Sequence, residues 1–417
     1  MNSYDKVARA LNHQSGPVPF DMGLLPTTGI HVLTLEKLRD YYGLEKRLPV
    51  VLEPYQMLGQ VDDDLREAIG VDTKPLWSPY TMYGFKNENF KEWRTPWGQK
   101  VLVAEDFVTT EDKNSVYIYA QGDSNYKPAG EMPKTSFFFD ATIRQEPIDE
   151  DNLNPQDNLE EFSYISEEDL ETYFRLKQDY EGSPYFIGGN LGGTAIGDIA
   201  CVPGPMLKEP KGIRDVAEWY MATAIYQDYL HEVFEKQVDI AISNLKKIHT
   251  ILGDTIGLAY VCGNDFGTQN GPFCSNETFR ELYAPYYKRI NGWIHENTNW
   301  KTFKHSCGSI YSLIPEMIEA GFDIINPVQW TAKDMDPARL KREFGKDIVF
   351  WGGGVDTQKT LPFGTPAQVR EEVLRMCDTF SKDGGFVFNT VHNILANTPI
   401  ENLVAMIEAV KEYNGDK

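Results

Sequence analysis

Lys301-Thr-Phe-Lys-His-Ser-Cys-Gly308 is the stretch that decides how this chain folds. Thr302–Cys307 reads as a strand, and alternate side chains of a strand point the same way. His305 and Cys307 therefore project to one face, and Gly308 lets the chain turn away at once. An imidazole and a thiolate meeting at a strand end suit zinc better than magnesium or calcium, which prefer oxygen. Two donors are only part of a site, because structural zinc usually takes four protein ligands and catalytic zinc three. Alone, the pair defaults to a buried neutral cysteine beside a hydrogen-bonded histidine. The fold has to bring a third donor.

Outward from this strand the same pattern recurs. Short apolar runs at Pro17–Met22, Leu76–Ser78, Tyr185–Gly188, Thr255–Val261, Asp323–Pro327, Ile348–Gly352 and Phe386–Val391 alternate with helical patterns, the signature of parallel α/β architecture. With Thr302–Cys307 they make eight strands, the number of a (β/α)8 TIM barrel. The helical patterns are Asp215–Leu252, Ser275–Asn297, Ser312–Ala320 and Thr365–Lys382. Several strands end in polar or glycine-rich turns, such as Asp21-Met-Gly23, Gly263-Asn-Asp265 and Gly353-Gly-Val-Asp356. In a barrel these gather at the C-terminal mouth, where the chemistry is done. The competing fold is an open doubly wound sheet. Its dinucleotide-binding version is weakened because no G-x-G-x-x-G follows the first strand. Gly188-Gly-Asn-Leu-Gly-Gly-Thr194 suggests a phosphate cradle only weakly, because the lysine and hydroxyl of a P-loop do not follow.

The domain reading is one barrel over residues 1–417, with residues 85–145 inserted as β-hairpins. That insertion holds Trp93, Trp97, Val116-Tyr-Ile-Tyr119 and Ser136-Phe-Phe-Phe139. It reads as a lid on the mouth or, equally, as an oligomer contact. Asp149–Glu161 reads as an exposed acidic connector. A formal charge of -22 repels nucleic acid and anionic membranes, so neither is expected as a partner. Five scattered cysteines form no disulfide framework and fit a reducing, cytoplasmic setting. Met1–Ala10 reads as a polar amphipathic helix start rather than a signal peptide. No apolar run approaches the ~20 residues of a membrane span.

His392 is the third donor we expect, because it directly follows the last strand, whose end can face the earlier strand ends in a closed barrel. The remaining five histidines lie on helices or near the N-terminus and read as surface or packing residues. Cys377 is the rival, but it sits on the apolar face of a helix, where a small hydrophobe is its better role. Cys262 ends a strand with its face unassigned. Six further polar residues fall at or just after strand ends. We take Asp265 and Asp21 as catalytic candidates, and Gln269, Asn326, Gln329 and Asp356 as substrate contacts or partners that orient a ligand. Helix caps and turns are the competing reading for all six. Glu53 is a further residue within possible reach of a metal.

Six segments carry a family resemblance: Pro17–Gly23, Gly263-Asn-Asp-Phe-Gly-Thr-Gln269, His305-Ser-Cys-Gly308, Asp323-Ile-Ile-Asn-Pro327, Gly353-Gly-Val-Asp356 and Thr398-Pro-Ile-Glu-Asn402. In this order and over nearly the whole length, the chain resembles the uroporphyrinogen decarboxylase superfamily of (β/α)8 barrels. It resembles most the zinc-dependent, corrinoid-linked methyltransferases within it. In that branch zinc is held by an H-x-C pair and a cysteine shortly before the T-P-x-E-N-like segment. The pair matches His305 and Cys307, while the third position is His392 here. Imidazole substitutes for thiolate as a ligand. Two thiolates and one imidazole leave Zn²⁺ formally neutral; one thiolate and two imidazoles leave it at +1, a stronger Lewis acid. Decarboxylases of the superfamily carry an arginine-rich segment after the first strand. Asp21-Met-Gly-Leu-Leu-Pro-Thr-Thr-Gly-Ile30 has no arginine.

The resemblance implies a zinc-dependent methyltransferase that moves a methyl group between a small substrate and a corrinoid (cobalamin). The chain lacks the D-x-H-x-x-G segment of corrinoid domains, so the corrinoid comes from a separate partner protein. The +1 site and the aromatic-rich insertion point to demethylation of an aryl methyl ether. A metal-free decarboxylase and a non-catalytic small-molecule-binding barrel are the alternatives.

Overall fold

Seven short strands form one parallel sheet in the computed structural model, which describes residues 1–415. We number them β1 (Thr73–Leu76), β2 (Phe186–Asn190), β3 (Leu258–Cys262), β4 (Lys301–His305), β5 (Ile324–Asn326), β6 (Val349–Trp351) and β7 (Phe386–Val387). They pair in chain order, each parallel to the next. The edges are joined by the segment around Phe20. Asp21 N–H donates to Phe388 O (2.9 Å), Phe388 N–H to Pro19 O (2.8 Å) and Asp72 N–H to Phe20 O (2.8 Å). Phe20 and Phe388 make a parallel bridge, so the sheet closes as a TIM-like barrel of eight staves.

The eighth stave is the one expected at Pro17–Met22, but it is a single bridge and not a regular strand. Pro17 and Pro19 have no N–H to give, so a continuous ladder cannot form. β1 lies three residues before the expected Leu76–Ser78. Its sequence, Thr-Lys-Pro-Leu, carries a proline and a lysine that hide it from an apolar reading. The helix expected over Asp215–Leu252 is two helices, Val216–Ile225 and Gln227–Leu252, with Tyr226 between them at φ -122°, ψ 42°. Ser275–Asn297 contains a π-helical turn at Phe279–Tyr283.

Inside the barrel the odd positions of the central strands stack. Leu258 and Tyr260, Phe303, Ile324, Val349 and Trp351 form one buried cluster. Val7, Ala10 and Leu11 of the helix Ser3–Leu11 join it. That helix plugs the end opposite the mouth, where Gly385 N–H bonds to Ala10 O. The other phase of each strand packs outward against the helices, as Ala259, Val261, Ile325 and Phe350 do.

Between Lys91 and Ala141 the strands are antiparallel. One hairpin pairs Lys91–Arg94 with Lys100–Val103. A four-stranded sheet follows, built from Thr109–Glu111, Ser115–Ile118, Gly130–Pro133 and Asp140–Ala141. This region has its own core, which includes Tyr83, Phe85, Val101, Phe107, Ile118 and Phe139. The acidic connector is not exposed throughout. Asn158 and Leu159 are buried, and Glu161 forms a two-point ion pair with the fully buried Arg214 (2.8 and 3.0 Å). Among the described residues no helix is long and apolar enough to cross a membrane.

Candidate metal centre

His305 keeps the inward phase set by Phe303, one residue past the hydrophobic layers, so its ring emerges at the mouth. Its Nδ1 meets Asn326 Oδ1 at 2.7 Å, on the neighbouring stave in direct register. The amide orientation is fixed because Asn326 Nδ2 donates to Trp351 O (2.9 Å). Nδ1 must then carry the hydrogen, which leaves the Nε2 lone pair free to face the mouth. Cys307 Sγ lies 3.3 Å from that Nε2. The turn bearing the thiol is held from two sides. Cys307 N–H donates to Asp265 Oδ1 (2.6 Å), and Gly308 N–H to Gln329 Oε1 (2.7 Å). Gly308 has φ +86°, and a Cβ there would lie 2.5 Å from Gly267 O. Glycine is therefore required on both counts.

His392 arrives on the loop after β7. Val391 N–H bonds to Val355 O (3.0 Å), and Asn393 ties the loop to Gly29 N–H (2.6 Å) and Pro26 O (2.8 Å). Ligand atoms of His305, Cys307 and His392 all lie within 4.8 Å of one another. Burial lowers the pKa of both imidazoles, that of His392 to about 4, with the His305 charge as its second cause. Burial, then the Asp265 carboxylate, push the Cys307 thiol well above its usual value. The donor set is thus neutral as it stands. Two free imidazole lone pairs and one thiol make a site that a thiophilic divalent ion fits, releasing the thiol proton on binding. Asp265 Oδ1, 3.6 Å from His305 Nε2, lies beside it.

The other sequence candidates are spread out. Asp21 is fully buried in the barrel wall, where it accepts hydrogen bonds from Thr73 Oγ1 (2.6 Å), Trp351 Nε1 (2.8 Å) and Leu24 N–H (3.1 Å). Through Trp351 and Asn326 it ends a hydrogen-bonded chain that begins at His305. Asn326 and Gln329 support the centre from behind. Asp356 accepts from Gln358 N–H (2.8 Å) in a turn. Gln269 is exposed and does not line the cavity. Cys262 is buried against Tyr287 OH (3.2 Å) in the helix layer, and Cys377 is buried in its helix.

A cavity of about 720 Å³ opens onto the centre, with His305, His392 and Asp265 in its wall. Asn87 and Gln121 reach it from the N-terminal region, and Glu53 and Asp198 face it as well. Asp198 and Lys304 are residues that the sequence did not single out. Lys304 is fully buried, its Nζ bonded to Asn264 O and His305 O (2.6 Å each). It ties the Asp265 loop to the His305 strand from the helix side. A lysine inside a strand reads as an edge or solvent position, so no pattern marks it.

A family model described as uroporphyrinogen decarboxylase (URO-D) matches residues 205–413, about half of the chain. The chain belongs to the URO-D family. It is 28% identical over 144 residues to a uroporphyrinogen decarboxylase of Chlorobium phaeobacteroides, covering 33% of this chain and 38% of that one. To the uroporphyrinogen decarboxylase of Actinobacillus succinogenes it is 23% identical over 210 residues, covering 47% and 57%. The URO-D chain therefore aligns with under two thirds of the length of these curated relatives. A solved methyltransferase from Methanosarcina mazei superposes with a TM-score of 0.55 over 99% of both chains, at 13% identity. That likeness is one of fold.

Proposed function

We propose that this URO-D family member is a zinc-dependent methyltransferase that moves a methyl group between a small substrate and a corrinoid on a separate partner protein. The convergence of three donor atoms within 4.8 Å at the wall of a substrate-sized cavity carries the reading. His305 Nε2, Cys307 Sγ and a ring nitrogen of His392 would hold the metal. Asn326 fixes the His305 tautomer, and Asp265 and Gln329 fix the turn that carries Cys307. A zinc ion there supplies Lewis acidity to the substrate heteroatom, which eases departure of its methyl group. The buried walls exclude water from the leaving group. Asp265 stands within reach of the metal ligands as the carboxylate for proton traffic. The formal +1 of a Cys-His-His set favours an aryl methyl ether over a thiol as the substrate.

The test is metal content of the purified protein with and without His392→Ala, then methyl transfer from aryl methyl ethers to reduced cobalamin. We expect stoichiometric zinc in the native protein, its loss in the variant, and ether-dependent transfer. Transfer only with thiols rejects the ether version. The names of the curated relatives favour decarboxylation; a decarboxylase that works without metal predicts full activity after zinc is stripped and in His305→Ala. The cavity speaks against their substrate class, because no lysine or arginine is in its wall among the described residues.

A further inference from the structure

The cavity wall carries six carboxylates, Glu53, Glu160, Glu161, Asp169, Asp198 and Asp265, and three of them come from separate segments and are held by backbone amides. Glu53 accepts Tyr55 N–H (2.8 Å) and Gln56 N–H (2.7 Å). Asp198 accepts Ala200 N–H and Gly263 N–H (3.0 Å each). Asp265 accepts Cys307 N–H (2.6 Å). Backbone amides fix all three, and none forms an ion pair with a lysine or arginine. Glu161, also in the wall, differs because Arg214 neutralises it.

A second observation points the same way. Asn87, also in the wall, donates its Nδ2 hydrogen to Leu52 O (2.9 Å). Its Oδ1 is buried and has no hydrogen-bond partner. Trp77 Nε1 and the hydroxyls of Thr27 and Thr81, all wall residues, also lack partners. Aromatic faces complete the enclosure, among them Tyr55, Trp77, Tyr80 and Tyr260. Acceptors, carboxylates and ring faces together are the chemistry that recognises an ammonium group. Burial raises the pKa of Glu53 to about 7 and that of Asp198 upward, the latter opposed in part by the buried Lys304.

We propose that the substrate is an organic cation, with an ammonium group seated against the carboxylates of this wall, Glu53 and Asp198 among them, while its methyl-bearing end faces His305 and His392. This takes the cavity as the substrate site of the reading above, but it is tested by binding alone. Three ligands of one shape serve as probes: 4-methoxyphenethylammonium, 4-ethylanisole and 3-(4-methoxyphenyl)propionate. Calorimetry on the native protein and on metal-stripped protein should rank them in that order, with the ammonium about tenfold or more tighter than the neutral ether. Glu53→Gln and Asp198→Asn should each shrink that ratio while leaving 4-ethylanisole binding in place. Equal or tighter binding of the neutral or carboxylate probe overturns the proposal, as does failure of all three to bind at millimolar concentration. Preference for the ammonium without methyl transfer to reduced cobalamin sinks the methyltransferase reading and leaves this one standing.

Discussion

Replacing Asn326 by leucine isolates what orients the metal centre. Asn326 is fully buried, touches no cavity surface and makes two hydrogen bonds, one from His305 Nδ1 and one to Trp351 O. Leucine keeps the volume and removes both. Two buried polar groups are then orphaned at about 1–3 kcal/mol each, so stability should fall by about 2–6 kcal/mol. His305 also loses the bond that holds its hydrogen on Nδ1. Loss of such a supporting contact typically weakens metal binding about 10–100-fold, or about 1.4–2.7 kcal/mol. Zinc affinity is read by competition with a chromophoric chelator, and stability by urea unfolding. Asn291→Leu is the control. Asn291 is equally buried and donates to Ala320 O (2.8 Å), with no link to the centre. It should lose stability and keep its zinc affinity. A folded Asn326→Leu protein that binds zinc within about twofold of the native protein would refute the orienting role.

Three further outcomes follow from the same contacts. Glu53 has its folded pKa raised to about 7 by burial, so between pH 4.5 and 7 the native state binds more protons than the unfolded one. Stability contributed by the neutral acid is full below pH 4.5 and is lost as pH rises through 7, and Glu53→Gln should be more stable than the native protein at pH 8 by about 3 kcal/mol, a gain that vanishes at pH 4. Arg214→Leu strands the buried Glu161 carboxylate and should cost about 3–5 kcal/mol in urea unfolding, with Glu161→Gln in the same chain recovering part of it. Gly308→Ala forces a positive φ and a backbone clash beside Cys307, and should cost about 1–3 kcal/mol while also lowering zinc affinity; unchanged metal binding would show that the turn does not set the thiol position.

The sequence was most legible where one strand phase does one job. β3, β5 and β6 are short and largely apolar, rich in β-branched or aromatic residues, and their inward residues are the ones that alternation picks out. The same alternation carries His305 to the mouth, and closure of the barrel brings His392 to meet it. What stayed hidden depends on contacts between distant segments. The stave at Pro17–Met22 is legible as an apolar run, but its reduction to a single bridge with Phe388 is not. Asp21 reads as a mouth residue until Trp351 and Thr73 are seen to occupy its carboxylate. Gln269 and Gln329 sit in similar turns, yet one is exposed and the other holds Gly308. Asp198 and Asn87 acquire meaning only from the cavity they share.

The pairing of Phe20 with Phe388 also orders events during synthesis. A nascent chain long enough to display His305 and Cys307 has neither a closed barrel nor His392, and it can offer zinc only two of the three donors. The missing imidazole leaves the ribosome with the very segment that seals the first stave to the last. Long-range closure of this kind is slow compared with local helix formation. If the centre takes zinc as proposed, tight metal capture would be reserved for chains that have closed the barrel, and zinc content would register folded molecules rather than partly folded ones.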